Sequence, residues 1–493
     1  MGGTTTAHAL QARAGARSRL RPATLVPFRV LLIFFVVFVS AALALGAGRP
    51  ATAAAGIDDA IDATIHEGFG GAGTGVYVWD LDAARLVYEH NADTRLAPAS
   101  NLKLVTSAAA LLDWGSTHRW VTELYVPDVA VGAGGTLDGD VYLRGLGDPS
   151  LSTRYYQREV FGLTTASFEY FARQLKREGI KKVTGSVLGD ASWFDKLKTV
   201  PTWKSGLELE CGPLSALSGD QGLENGNRVS APATFAAKLM TQACRNAGIK
   251  VKGKPGTGKV PDTARLLKLQ YSAAMPGILG HMNQMSDNFF AETLLKGLGK
   301  DFYGEGSTKA GTQASKDTLH RMGVKTGTYV IQDGSGLSYG NRITALGLTQ
   351  VLGSMYQDDD FDVYYDSLAV GAESGTLRSR DHGTASAGNV HAKTGTLNIA
   401  ENLSGYVTSA NGHLVAFSIL FNGGSVGTSG WGAATSAQDA ITTALAKAKL
   451  PGEPVLAVTP TLRAFSTSAV EPVHGVGGRL KPGVQPQLDG VGG

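Results

Sequence analysis

The run Ser100-Asn101-Leu102-Lys103 holds the most chemistry in this chain. A serine hydroxyl is a poor nucleophile at neutral pH and needs a neighbour to take its proton. A lysine three residues further along a helix lies on the same face, one turn away. Desolvation lowers the basicity of such an amine until it can act as that base. A helix start also places Ser100 where the positive end of the helix dipole favours a developing anion. Two further clusters follow in order, Ser286-Asp287-Asn288 and Lys393-Thr394-Gly395-Thr396. Each has a plain structural reading when taken alone, since Ser100 and Ser286-Asp287-Asn288 could simply cap helices. The order and context of the three together favour a catalytic reading.

Decoys have to be separated from these. Lys-Thr-Gly-Thr also occurs at Lys325-Thr326-Gly327-Thr328. The chemistry requires this motif on an exposed strand edge beside the Ser100 helix. Only Lys393 is followed by hairpin strands that could complete a sheet, so Lys393 is preferred. Gly253-Lys254-Pro255-Gly256-Thr257-Gly258-Lys259 has the spacing of a phosphate-binding loop. Val260 replaces the hydroxyl residue that would meet Mg²⁺, and Pro261 replaces the helix, so a surface turn is expected. Gly334-Ser335-Gly336 lacks the spacing of a nucleophile elbow, and Asp333 reads as a turn organiser.

The elements that must position these residues follow from periodicity. Helices are expected over 57–69, 100–114, 275–285, 288–298 and 433–449. A hairpin is expected from 75–80 and 85–90, and strands from 390–396, 405–408 and 413–421, with Asn411-Gly412 as a hairpin turn. Together the two ends of the chain would build a five-stranded antiparallel sheet flanked by helices. Residues 119–268 read as a smaller inserted α+β domain. Its strand candidates are 120–126, 140–145 and 182–188, and its helix candidates 165–178 and 232–247. The fold class is α+β, with one domain from 56–118 and 269–450 interrupted by this insertion.

Composition sets the address. The first 55 residues carry six arginines and no acid, and 30–47 is an apolar run. Ala51-Thr52-Ala53 then supplies small residues for cleavage. The pattern is that of a secretory signal, with a retained membrane anchor as its other fate. The net charge of +3 gives no argument for nucleic acid. Cys211 and Cys244 could form one disulfide or remain two buried thiols. The ten histidines show no ligand spacing, so no metal or other cofactor is expected. From Pro451 the sequence is rich in Gly, Pro and Val without periodicity and reads as a disordered tail.

Taken together, these residues resemble the penicillin-binding proteins of the D-alanyl-D-alanine carboxypeptidase/endopeptidase family that carry a domain inserted after the first motif. The resemblance rests on Ala97-Pro98-Ala99-Ser100-Asn101-Leu102-Lys103, Gly147-Asp148-Pro149-Ser150-Leu151, Met285-Ser286-Asp287-Asn288-Phe289-Phe290-Ala291-Glu292, Asp333-Gly334-Ser335-Gly336-Leu337-Ser338 and Glu373-Ser374-Gly375-Thr376-Leu377-Arg378. Such members often carry two inserted domains; here the short stretch from Cys211 to Pro232 leaves room for one.

The resemblance implies a β-lactamase/transpeptidase-like catalytic domain acting on peptidoglycan stem peptides, with β-lactams as covalent inhibitors. It implies Ser100 as nucleophile, Lys103 as base and Ser286 as proton relay to the leaving amine. Asn288 would hold the substrate amide and Lys393 would face the terminal carboxylate, helped by Thr394, Gly395 and Thr396. A β-lactamase or esterase on the same scaffold, and a non-catalytic wall-binding protein, are the competing readings.

Overall fold

The structure is a computed structural model. It describes residues 56–454 apart from positions 67, 68, 70, 72, 424, 425 and 427–429. The basic leader expected over 1–55 and the tail beyond 454 lie outside the described residues. No described helix is long and apolar enough to cross a membrane.

The central sheet is antiparallel and draws on both ends of the chain. In spatial order its strands are Ala369–Val370, His391–Leu397, Ala400–Thr408, Leu414–Asn422, Thr74–Asp80 and Arg85–His90. Five of these overlap the expected strands, but Ala400–Thr408 begins five residues before the expected 405, because Glu401, Asn402 and Ser404 are polar yet buried and break the apolar pattern. The sixth, Ala369–Val370, is only two residues long, too short for a periodic signal. Thr74–Asp80 pairs with Leu414–Asn422 from Thr74↔Phe421 to Asp80↔Val415, which closes the first strand onto the last. Both strands are buried along almost their whole length, as strands covered on two faces must be.

One face packs against the helices Ile57–His66 and Trp431–Lys447. Ile57, Ile61 and Ile65 repeat at helical spacing and meet Val78, Leu403 and Phe417 in one apolar cluster. The other face is covered by the helix Ala345–Tyr356, whose Thr349 bonds Ser418 and whose Leu352 carbonyl accepts from the Tyr406 hydroxyl. Behind it runs Leu102–Trp114, in which every residue from Leu102 to Leu111 except the polar Lys103, Thr106 and Ser107 is apolar, and all ten are buried. Its Ala and Leu content suits a helix enclosed on all sides.

The segment after this helix forms a sheet of its own, ordered Gly256–Thr257, Val187–Asp190, Val141–Gly145, Val121–Pro127 and Ala264–Tyr271. The helices Phe168–Arg177 and Pro232–Asn246 contribute Phe168, Phe171, Ala236 and Met240 to its core. The expected strand 182–188 is two strands in different sheets. Lys182–Val183 joins a small parallel sheet with Thr136–Leu137 and Lys250–Val251, and Val187–Asp190 joins the main one. Gly185 between them packs on the Gly139 carbonyl and Asp140, where a Cβ would clash at 2.5 and 2.2 Å. The edge strand Ala264–Tyr271 lacks clean alternation in sequence and crosses the boundary expected at 268. Cys211 and Cys244 are both buried free thiols.

Candidate active site

Ser100 lies in a single 3₁₀ turn, Ala99–Asn101, that runs directly into the helix beginning at Leu102. Its side chain caps nothing there, so the helix-capping reading is set aside. Ala99 has φ +47°, a left-handed value that costs a non-glycine residue energy. Gly336 backs this turn so closely that a Cβ would lie 1.8 Å from the Ala99 carbonyl oxygen.

Lys103 is fully buried. Its Nζ lies 3.0 Å from Ser100 Oγ, 2.7 Å from Asn288 Oδ1 and 2.8 Å from the Ser335 carbonyl oxygen. Two of these three neighbours can only accept, and a neutral amine has two protons to give and one lone pair. With the protons on Asn288 and Ser335, the lone pair faces the one neighbour that can donate, the Ser100 hydroxyl. Burial lowers the Lys103 pKa to about 8, while Glu292, Asp287, Asp333 and Cys211 pull the other way.

Ser286 also has a left-handed backbone, φ +57°, in the loop between two helices. Its Oγ accepts from Lys393 Nζ at 3.0 Å, and Lys393 also donates to the Thr394 carbonyl at 2.9 Å. Lys393 is fully buried, and burial together with the nearby Lys103 charge holds its pKa well below the usual value, against the pull of Glu401. Asp287 caps the helix Asn288–Tyr303 through the Phe290 N–H. Burial works against its charge, but His281, the Phe290 N–H and Gln221 outweigh it and hold the carboxyl below its ordinary value.

The strand His391–Leu397 pairs fully with Ala400–Thr408 on one side, while on the other Ala369–Val370 reaches only His391 and Ala392. From Lys393 onward that edge has no strand neighbour and faces the Ser100 turn. A Cβ on Gly395 would lie 2.7 Å from the Pro98 carbonyl oxygen and 3.0 Å from the Asn101 nitrogen, so only glycine lets the strand edge come this near. Thr394 bonds Thr376, and Thr396 bonds Glu401. The four places expected to meet, at 100, 103, 286 and 393, do meet. Lys325 instead is exposed in a turn whose Gly327 carbonyl accepts from Arg95.

Several residues that touch this site carried no assigned role in the sequence. Glu292 is buried, and its Oε1 accepts from the N–H groups of Gly334 and Ser335, at 3.0 and 2.7 Å. It thereby fixes the turn around Ser335, whose carbonyl accepts from Lys103. Burial, reinforced by Asp333, raises its pKa to about 8. Asp333 organises its turn as expected, accepting from the N–H groups of Gly336 and Ser338.

Three contacts come from the 199–222 stretch. Trp203 Nε1 donates to Asp333 at 2.8 Å, Gln221 Nε2 to Asp287 at 2.5 Å, and the Glu210 carbonyl accepts from Asn288 Nδ2 at 2.8 Å. Asn288 was expected to serve the substrate; here both ends of its amide are engaged, by Lys103 and Glu210. Among the described residues one other cluster, Asp80, Asp82 and His413, gathers ligand-type atoms. These are committed to Arg85, Tyr356, the Leu414 N–H and the Gly452 carbonyl, and form a structural tie.

Comparison with known proteins agrees with this geometry. The family model "D-Ala-D-Ala carboxypeptidase 3 (S13) family" matches residues 57–222 and 218–447. The chain is 30% identical over 518 residues to a D-alanyl-D-alanine carboxypeptidase of Actinomadura sp. (strain R39), covering 88% of this chain and 92% of that protein. It is 25% identical to the D-alanyl-D-alanine carboxypeptidase DacB of Haemophilus influenzae, covering 72% and 87%. Its fold is similar to a crystal structure of penicillin binding protein 4 from Haemophilus influenzae, with a TM-score of 0.66, 22% identity, and 78% and 99% coverage. The chain belongs to the D-Ala-D-Ala carboxypeptidase 3 (S13) family.

Proposed function

We propose that the protein is a serine-type D-alanyl-D-alanine carboxypeptidase/endopeptidase that cleaves peptidoglycan stem peptides through an acyl-enzyme and is inhibited by β-lactams. The observation that carries this reading is the Lys103 amine, buried between the Ser100 hydroxyl and two pure acceptors. In this account Lys103 takes the Ser100 proton as Oγ attacks the carbonyl between the last two D-alanines. The N–H groups of Ser100 and Thr396 receive the oxyanion. Ser286, held by Lys393, passes a proton to the leaving amine, and the terminal D-alanine departs. Water then hydrolyses the ester and restores Ser100.

Lys393 has a second part in this scheme. Its burial next to Lys103 disfavours two ammonium charges in the pocket. A substrate carboxylate arriving at Thr394 and Thr396 supplies a counter-charge, which raises the Lys393 pKa and favours its protonated form. Charge is thus matched to substrate on binding. Residues 56–118 and 272–450 form the peptidase domain in this reading, and 119–271 the inserted module, since its edge strand runs to Tyr271. Peptidoglycan as substrate implies an extracytoplasmic site of action, with the first 55 residues as the export signal or anchor.

Labelling with a fluorescent penicillin tests the assignment. Ser100→Ala abolishes labelling and Lys393→Ala reduces it at least a hundredfold, while Lys325→Ala leaves it intact. Loss with Lys325→Ala but not with Lys393→Ala would overturn the choice of third motif.

A further inference from the structure

The inserted module builds the same helix end twice. Phe168–Arg177 ends at Gly179, φ +77°, and Pro232–Asn246 ends at Gly248, φ +84°. Each glycine is followed by a buried isoleucine, Ile180 or Ile249, and then by lysines that open a short strand. The two strands lie side by side and parallel, with Lys182↔Lys250 and Val183↔Val251 in register. Parallel pairing in register brings both helix ends and both strand starts to one end of the module.

The ladder continues past the named strands, with Lys252 N–H on the Val183 carbonyl at 3.1 Å and Gly253 N–H on the Gly185 carbonyl at 2.8 Å. Val183 and Val251 turn inward to the core. Strand alternation therefore turns Lys182, Lys250 and Lys252 outward together. Lys250 and Lys252 are separated by about 7 Å along the strand, and Lys182 lies about 5 Å from Lys250 across the pair. Lys181 and Lys254 are exposed beside them, and the helix ends add Lys176, Arg177 and Arg245, also exposed.

Like charges directly opposite on neighbouring strands are destabilising. None of the eight cations makes an ion pair among the described residues. The acids at this end are Glu178, Asp138 and Asp140, and Asp138 and Asp140 accept from Thr184 and the Ser186 N–H. From Asn225 to Pro261 the sequence has seven cations and no acid. Cations at a helix C-terminus answer its dipole, which accounts for Lys176, Arg177 and Arg245. It does not account for the strand lysines.

We propose that this face of the inserted module is a docking surface for a linear, phosphate-bearing polyanion. The lysines form a ladder of point charges that suits a flexible chain of repeating phosphates, and binding releases the polymer's counterions. A membrane surface fits less well. Interfacial binding needs apolar side chains to insert, and no large apolar side chain is exposed at 176–185 or 245–254. The surface is separate from the catalytic residues, so the proposal does not depend on the peptidase reading.

The test is fluorescence anisotropy of the full chain with fluorescein-labelled inorganic polyphosphate, titrated at several salt concentrations. Wild type binds with an affinity that falls steeply with salt. Lys182→Glu/Lys250→Glu weakens binding at least tenfold and flattens the salt dependence, and the milder Lys250→Gln/Lys252→Gln weakens it about threefold. Lys325→Glu, which makes the same net charge change elsewhere as the glutamine pair, leaves it within twofold. The circular-dichroism spectrum and the thermal unfolding midpoint stay at the wild-type values in all of them, which shows that the variants are folded. Equal weakening by Lys325→Glu, unchanged binding in both lysine-ladder variants, or binding of wild type to vesicles of anionic phospholipid but not to polyphosphate would each overturn the proposal.

Discussion

At Lys103 two opposing influences set the chemistry. Burial strips the ammonium of water and lowers its pKa to about 8, and the carboxylates of Glu292, Asp287 and Asp333 limit the fall. In the proposed mechanism the base is the neutral amine, so acylation by a β-lactam should accelerate as pH rises through about 8. Glu292 is the largest of the influences that favour the charged form. Glu292 carries its charge only once ionised, itself at about 8, so Glu292→Gln removes that pull in the upper part of the rising limb and moves that part to lower pH. Second-order acylation constants measured from pH 5 to 10 check this; a limb that stays in place with only a lower plateau would assign Glu292 a packing role alone. The placing of Ser100, Lys103, Ser286 and Lys393, the proposed nucleophile, base, relay and strand cation, was legible in the sequence because the chemistry restricts both residue type and spacing. Glu292 lay inside a recognisable run, but nothing local says that its oxygen reaches Gly334 and Ser335, 42 and 43 residues on.

Elements hold these residues through close backbone approaches and a few buried bonds. Gly336 lies behind the Ser100 turn with φ +90° and no room for a Cβ. Gly336→Ala should destabilise the fold by about 2–4 kcal/mol and abolish acylation, read by thermal unfolding and penicillin labelling. The contacts from 199–222 act on geometry and much less on stability. Gln221 occupies the middle of three successive left-handed residues, Asp220, Gln221 and Gly222, which aim its amide at Asp287. Gln221→Ala should slow acylation about tenfold and shift the melting midpoint by no more than a few degrees. A wild-type rate would show that the Ser286 loop holds its shape without this brace. These partners were not legible in the sequence. Glu210 acts through a backbone carbonyl, which leaves no trace in residue type, and Gln221 reaches Asp287 across 66 positions from inside the insertion. The six-stranded sheet was legible except for its two-residue edge strand and the first half of Ala400–Thr408, where buried Glu401, Asn402 and Ser404 hide the period.

For the whole molecule, the chain's two ends build one sheet while its middle departs and returns, and the returning module grips the loops that carry Ser286 and Asp333. The insertion thus braces the loops of the proposed active site. Its existence was legible from the change in pattern after residue 118, whereas its mixed sheet and its split at Gly185 depend on long-range pairing that no local period encodes. The account stands or falls at Ser100, and intact mass spectrometry after incubation with benzylpenicillin addresses it most directly. The wild-type protein should gain the mass of one intact penicillin, and Ser100→Ala should gain none under the same conditions. A stoichiometric adduct on Ser100→Ala, or no adduct on a folded wild-type chain at any pH between 6 and 9, would contradict it.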